Sequence, residues 1–410
     1  MKYASIIPLI GGESLGIMEA TNGQLPEYVL SYSPFKNNDS HYIQYIREKR
    51  GWTGDYVFLD EDKTYKPSTV DVVNSVCPCA GLSSLSVSSS ANSAVNDWLY
   101  TTAEYVLSEI GPKVFWGENA PRLYTSAGAP VADRLYEIGQ RYGYSLNLYY
   151  TESRLHGLAQ KRPRTFYFFT RSERAPIFPW HRREFEPVER IFERAIDPND
   201  PMNIRGNNDD PMDNPWLRYC MHKTGSETIM DYFNKINKST NCIVESDRGF
   251  DGTLYDVADW MRNKGYDRFA DRAVAMQKKL EDGKGYWAHG ITMGKGEIPS
   301  LIGAQPHYLI NAYTGRFVTV RECMRIMKMP DDFNLAGDNP RSKINHICQN
   351  VPVSTAADMM RGIMAYLAGQ TDFGPSSYVK QNNKSQVYSS ALTVKEESNT
   401  EPLDAFFHLH

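Results

Sequence analysis

Over the first 170 positions, short apolar runs rich in β-branched residues alternate with longer segments whose apolar positions recur every three to four residues. The runs at 5–10, 28–33, 56–59, 70–76, 113–117, 144–150 and 165–170 have the length and residue types of buried strands. The segments at 11–20, 97–110 and 133–142 read as helices; in 97–110, Leu99, Ala103, Val106, Leu107 and Ile110 fall on one face. Strands and helices in turn predict an α/β fold: a doubly wound, mostly parallel, Rossmann-like sheet.

After about Pro176 that rhythm is lost. Positions 195–215, rich in Asp, Asn and Pro, read as an irregular loop, whereas 226–236 and 256–281 read as helical with glycine interruptions. Order returns at 317–327 and in a last helix, 356–368, with Ser354 or Thr355 as its N-cap. The pattern therefore predicts a smaller domain inserted into the sheet domain. The serine-rich stretch 83–93 is expected to be a mobile loop, and the polar tail 371–410 to be disordered.

Composition adds limits. With 410 residues and a net charge of −4, the chain has a large core and no global electrostatic footprint for nucleic acid. A local one stands at Arg154, Lys161, Arg162, Arg164, Arg171, Arg174, Arg182 and Arg183, against only Glu173, with Trp180 and His181 interleaved. The six cysteines include no CxxC pair, which argues against a zinc site or a disulfide framework. No stretch approaches the roughly 18 apolar residues of a membrane span, and the first ten residues lack a signal-peptide cleavage pattern. A soluble, cytoplasmic protein without a metal is expected.

Candidate chemistry sits at predicted strand ends, where open α/β sheets present their sites. Val70, Val72, Val73 and Val76 lead into Cys77-Pro78-Cys79-Ala80-Gly81, a tight turn that carries a thiol. Glu118-Asn119-Ala120-Pro121 ends the strand at 113–117 and puts a titratable group on the same rim. Gly11-Gly12-Glu13-Ser14-Leu15 opens the first helix, where backbone N–H groups can approach a polar ligand. Asp60-Glu61-Asp62 follows the third strand, and such acids can accept hydrogen bonds from ribose hydroxyls.

These segments fall into one order: Pro78-Cys79; Glu118-Asn119-Ala120; Gln160-Lys161-Arg162-Pro163-Arg164; a variable region; Arg316 to Glu322; and Gln349-Asn350-Val351-Pro352-Val353. That order resembles the DNA (cytosine-5) methyltransferases, whose pattern runs Pro-Cys, Glu-Asn-Val, Gln-x-Arg-x-Arg, a recognition region, Thr-x-Arg-Glu and Asn-x-Val-Pro. The likeness spans residues 5–368. It implies that the Cys79 thiolate attacks position 6 of a flipped-out cytosine, so that position 5 can take a methyl group from S-adenosylmethionine. Glu118 would protonate ring nitrogen 3 from a secluded pocket, Asn119 would hold the loop, and Arg162 and Arg164 would contact the base carbonyl or a phosphate. The resemblance further implies a cofactor site at Gly11, Gly12, Glu13, Ser14, Leu15, Asp60, Glu61, Pro78, Asn350 and Val351. It puts Ser83, Gln160, Arg316 and Arg321 on the substrate side. Residues 1–175 and 338–370 would form the catalytic domain and 176–337 the target-recognition domain, acting as a monomer on double-stranded DNA with no membrane.

The chain departs from that pattern at the cofactor end. Ile7-Pro8-Leu9-Ile10-Gly11-Gly12 stands where the family has Phe-x-Gly-x-Gly-Gly, and Ser31-Tyr32-Ser33 where its second strand ends in an acid. Two other readings therefore remain: an enzyme that transfers a modified one-carbon group or acts on RNA, and a DNA-binding relative without cofactor. Arg316 and Arg321 have a plainer reading too, as partners of nearby acids.

Overall fold

The computed structural model describes all residues except 84–89, 243–251, 284–290, 304, 338, 385–386 and 391–410. Most of the expected serine-rich loop lies outside the described residues. The chain divides into two compact units: Met1–Phe185, Met327–Ala336 and Asn350 onward in one, Glu186–Ile326 and Gly337–Gln349 in the other.

The first unit is built on nine strands: β1 (Tyr3–Ile6), β2 (Tyr28–Ser31), β3 (Asp55–Phe58), β4 (Val72–Ser75), β5 (Val114–Asn119), β6 (Ser145–Glu152), β7 (Pro163–Thr170), β8 (Tyr378–Asn382) and β9 (Val387–Ser390). Their order across the sheet is β3-β2-β1-β4-β5-β7-β6-β8-β9. Pairings are parallel except where β7 lies between β5 and β6 and where β9 closes the edge. All residues of β1, β2, β4 and β5 are buried, as expected of central parallel strands covered on both faces.

Helices Asp97–Tyr105 and Ala129–Arg141 supply Leu99, Ala103, Leu135 and Ile138 to the core on one face. Helices Gly12–Ala20 and Val353–Leu367 supply Ile17, Ala356, Met359 and Ile363 to the other. The doubly wound α/β sheet expected from the sequence is present.

Three expectations need correction. The first strand ends at Ile6 rather than Ile10, because Ile7 and Leu9 adopt φ of 50° and 52° and Pro8 between them has no N–H to give a ladder. The last helix begins at Val353 with Pro352 in the cap position, so Ser354 and Thr355 lie inside it. The polar tail is not disordered throughout: β8 runs parallel to β6 and buries Tyr378 and Val379, and Tyr378 stacks on Tyr136 at 5.0 Å.

In the second unit, a four-stranded sheet runs in the order Arg316–Phe317, Leu309–Asn311, Thr292–Met293 and Thr240–Asn241. Trp216, Leu217, Tyr232, Leu254 and Met261 form its core with helices Pro215–Thr224, Leu254–Asn263 and Asp267–Glu281. The helical stretch expected over 256–281 is broken at Gly265, whose φ of 78° ends the first helix.

Candidate active site

β4 delivers the thiol. Beyond Ser75 the chain turns through Pro78, and Cys79 caps the short turn Ala80–Leu82, half-buried at the rim where the parallel strands end. Burial pushes the Cys79 thiol up and the Glu118 charge adds to it, while Arg164 and Arg162 pull it back. Those three charges come from β5 and the β7 region, so the sheet order itself gathers them around the sulfur. Cys77 is fully buried, and burial pushes its thiol to about 11; Ser75 Oγ lies 3.4 Å from its sulfur. It belongs to the packing, within the core cluster on one face of the sheet.

Glu118, next to last in β5, is 4 % exposed and forms an ion pair with Arg164 Nε. Asn119 Oδ1 accepts the Ala120 N–H at 2.8 Å and fixes the turn that follows. Arg162 is buried and donates through Nη2 to the Asn350 carbonyl at 3.1 Å. Gln160 is fully buried, with Nε2 at 3.3 Å from Met327 Sδ, and Ser83 is half-buried at the exit of the turn after Cys79. Gln160 thus contacts the interior of the first unit.

The cofactor end differs from expectation in detail. Gly11, at φ 88°, gives its N–H to Pro8 O at 2.8 Å, and Gly12 gives its own to Asn350 Oδ1 at 2.8 Å. A Cβ on Gly12 would come 2.0 Å from Val351 O, so only glycine lets the helix start this close to Asn350 and Val351. Leu15 is buried and closes the first turn with its N–H on Gly11 O at 2.7 Å.

Glu13 and Ser14, expected to face a cofactor, turn their side chains inward. Ser14 Oγ lies 2.6 Å from Ser5 Oγ, and Asn74 Nδ2 donates to Glu13 Oε2 at 3.2 Å. The polar residues Ser5 and Asn74 on adjacent strands attract them. Burial holds the Glu13 carboxyl well above the usual range, with the Glu118 charge adding to it. The signal for Asn74 in the sequence is a polar residue inside a valine-rich strand.

Asp60 and Glu61 lie at the exposed end beyond β3 and bind Ser33: its N–H reaches Asp60 Oδ1 at 2.9 Å and its hydroxyl Glu61 Oε1 at 2.7 Å. Tyr32 and Phe35 pack on Trp98 at 4.9 and 5.1 Å, an aromatic ledge beside those acids. The acid missing from the end of β2 has a neighbour in Asp39, from helix Lys36–Arg50. It takes the Leu9 N–H at 2.9 Å and the Ser31 hydroxyl, and burial pushes its carboxyl up to about 7.

The basic run does not form one charged face. Arg164 is spent on Glu118, Arg183 on Asp358 at 3.0 Å and Arg174 on the carbonyls of Phe373 and Gly374, while Arg171 donates to Tyr144. Asp358 also accepts from Arg361 at 2.7 Å and pairs with His156 Nδ1 at 2.9 Å. His156, His181 and Asp358 have donor atoms close enough for a metal ion. The two guanidinium groups on that carboxylate make the cluster a structural tie instead.

In the second unit, Arg321 is buried in a two-point pair with Asp200, at 2.6 and 3.0 Å, and Arg316 pairs with Glu322 at 2.9 Å. Their plainer reading as partners of acids is what the structure has.

A mostly parallel sheet with a reversed strand between β5 and β6, a glycine turn at its first helix, and a thiol, a carboxylate and two guanidinium groups at one rim define the class: an α/β methyltransferase. The model of the C-5 cytosine-specific DNA methylase family matches residues 1–365, and the chain belongs to that family. No curated protein matches it. Among solved structures, it is similar to a protein described as a DNA modification methyltransferase encoded within an E. coli prophage. The two share 13 % identity over 90 % of this chain and 99 % of the other, with a TM-score of 0.54. The Entamoeba histolytica methyltransferase EhMeth gives 12 % identity over 90 % and 98 %, with a TM-score of 0.50. At these identities the likeness is one of fold. Among the described residues no helix is long and apolar enough to cross a membrane.

Proposed function

We propose that the protein transfers a methyl group from S-adenosylmethionine to carbon 5 of a flipped-out cytosine in double-stranded DNA, with Cys79 as covalent nucleophile. The observation that carries this is the meeting of Glu118, Arg164 and Arg162 around the Cys79 sulfur. Family membership supplies the reaction class.

Cys79 adds to carbon 6 as the thiolate, its proton passing to Glu118. The electron pair displaced from the 5,6 double bond makes carbon 5 nucleophilic, and Glu118 delivers that proton to ring nitrogen 3. In the free protein Arg164 holds Glu118, so an entering cytosine has to draw that guanidinium onto its own carbonyl oxygen. The exchange frees the carboxyl as the base arrives. Once carbon 5 has gained a methyl group, whose bonding pair would stay with the sulfonium sulfur as a neutral thioether leaves, loss of the carbon 5 proton to solvent expels the Cys79 sulfur, and the proton on ring nitrogen 3 returns to Glu118. Arg162, buried on the Asn350 carbonyl, acts as a positioning residue that ties the catalytic rim to the glycine turn.

Bound S-adenosylmethionine supplies a methyl group activated by sulfonium charge. The residues that would hold such a ligand are the amide end of helix Gly12–Ala20, the ledge of Phe35 and Trp98, and Asp60 and Glu61 for hydroxyls. The smaller unit is assigned to target recognition.

Trapping on a long random-sequence duplex with 5-fluorocytosine in place of cytosine, which blocks the last elimination, tests the reading. We expect a denaturation-resistant adduct that needs S-adenosylmethionine and is lost in Cys79→Ala. No adduct with folded protein removes the reading. An adduct lost in Cys77→Ala and kept in Cys79→Ala moves it to the other thiol, and one formed only on RNA moves the substrate.

A further inference from the structure

We infer that β8 and the residues after it complete a polynucleotide-binding shelf of Tyr124, Tyr150, Lys380 and Lys384, which grips the strand flanking the target cytosine. This rests on the methyltransferase reading above and adds a binding surface to it.

The shelf lies along the rim from the Glu118–Arg164 pair. Tyr150 and Thr151, near the end of β6, stand opposite Thr165 and Arg164 of β7, and Asn382 at the end of β8 stands beside Tyr150. The rings of Tyr124 and Tyr150 lie 5.4 Å apart at 48°. Lys380 Nζ lies 5.6 Å from the Tyr124 ring centre and donates to the Tyr124 carbonyl at 3.0 Å. Lys384 Nζ lies 5.8 Å from the Tyr150 ring centre and 3.1 Å from Glu152 Oε2. All four side chains are half-buried, so each has one side on the protein and one on solvent.

Lys380 carries the argument. Among the described residues its ammonium meets no carboxylate within ion-pair distance, and burial holds its pKa below the ordinary 10.5. The exposed Asp133 acts on it only from beyond that distance, and a half-buried cation without a carboxylate in contact is costly. A phosphate completes the site. The lysine has further N–H donors beyond the one given to Tyr124, and the adjoining rings offer faces for bases or sugars at no sequence cost. Lysine beside tyrosine is also a cation–π arrangement, which keeps the ammonium in place before the strand arrives.

The test is equilibrium binding of fluorescent duplex DNA and, in a second arm, an RNA hairpin, from 50 to 200 mM salt. Lys380→Gln keeps a donor for the Tyr124 carbonyl but loses the charge. We expect its log–log salt slope to fall by about 0.9, so that affinity drops about 3.5-fold less across that range than in the wild type. Lys380→Arg restores the slope, and Lys2→Met, at the opposite end of the strands, leaves it unchanged. The arm with the slope change marks the polynucleotide the shelf holds. Should Lys380→Gln melt early, Lys384→Gln serves in its place and should lower the slope too, its salt bridge to Glu152 being lost with the charge. Unchanged slopes in both variants, with the wild type still trapped on 5-fluorocytosine, overturn the shelf and leave the methyltransferase reading standing. A wild type that neither binds nor is trapped overturns both.

Discussion

Burial makes Cys79 reluctant to ionise, and the opposing charges beside it tune that reluctance. Removing the Glu118 charge lowers the thiol's pKa, and removing Arg164 raises it. Iodoacetamide at pH 8 should therefore alkylate Cys79 faster in Glu118→Gln than in the wild type, and more slowly in Arg164→Met, as read by peptide mass spectrometry. The other five cysteines are buried, so the label reports on Cys79. Equal rates in all three proteins would mean that these charges do not reach the sulfur. The pairing of a motif cysteine with a motif glutamate was legible in the sequence. The grip of Arg164 on Glu118 was not, because β7 comes to lie beside β5 only through the reversed strand order.

At the scale of elements, the turn between β1 and its helix is held from outside itself. Ile7 and Leu9 occupy left-handed backbone that β-branched and bulky residues avoid, and Asp39 from helix Lys36–Arg50 anchors Leu9 by its N–H. With a folded value of about 7 against an ordinary 3.8, the Asp39 carboxyl binds its proton more tightly in the folded protein. Its contribution to stability is thus complete below 3.8 and is lost as pH rises through about 7. Asp39→Asn can still accept the Leu9 N–H. Its melting temperature should fall less than the wild type's between pH 4.5 and 8, measured by circular dichroism, and identical profiles would refute the assignment. The altered sequence at 7–12 signalled a departure, but its physical content lies in a helix residue some thirty positions away.

For the whole molecule, the tail strand matters more than its composition suggests. Tyr378 and Val379 bury apolar surface on the edge of β6, and Gln381 bonds the backbone of Phe178 on both sides. A chain ending at Gln370 loses burial worth about 3–6 kcal/mol, at about 1.5–3 kcal/mol for each of the two large side chains. It also bares an edge strand. Denaturant titration should show that loss, with aggregation on concentration, and an unchanged midpoint would mean that β8 is an appendage.

The sequence by itself determined the strand and helix rhythm, the sheet class and the order of the catalytic motifs, because local periodicity and residue type are written along the chain. Pro78-Cys79, Glu118-Asn119 and Arg162-Pro163-Arg164 could be read there as one chemistry. Only the tertiary structure decided which charges meet. It turned Glu13 and Ser14 inward onto Asn74 and Ser5, closed Arg321 on Asp200, and brought Lys380 beside Tyr124 across more than 250 positions. Partners so far apart in sequence leave no periodic trace, since what joins them is the packing order of the strands.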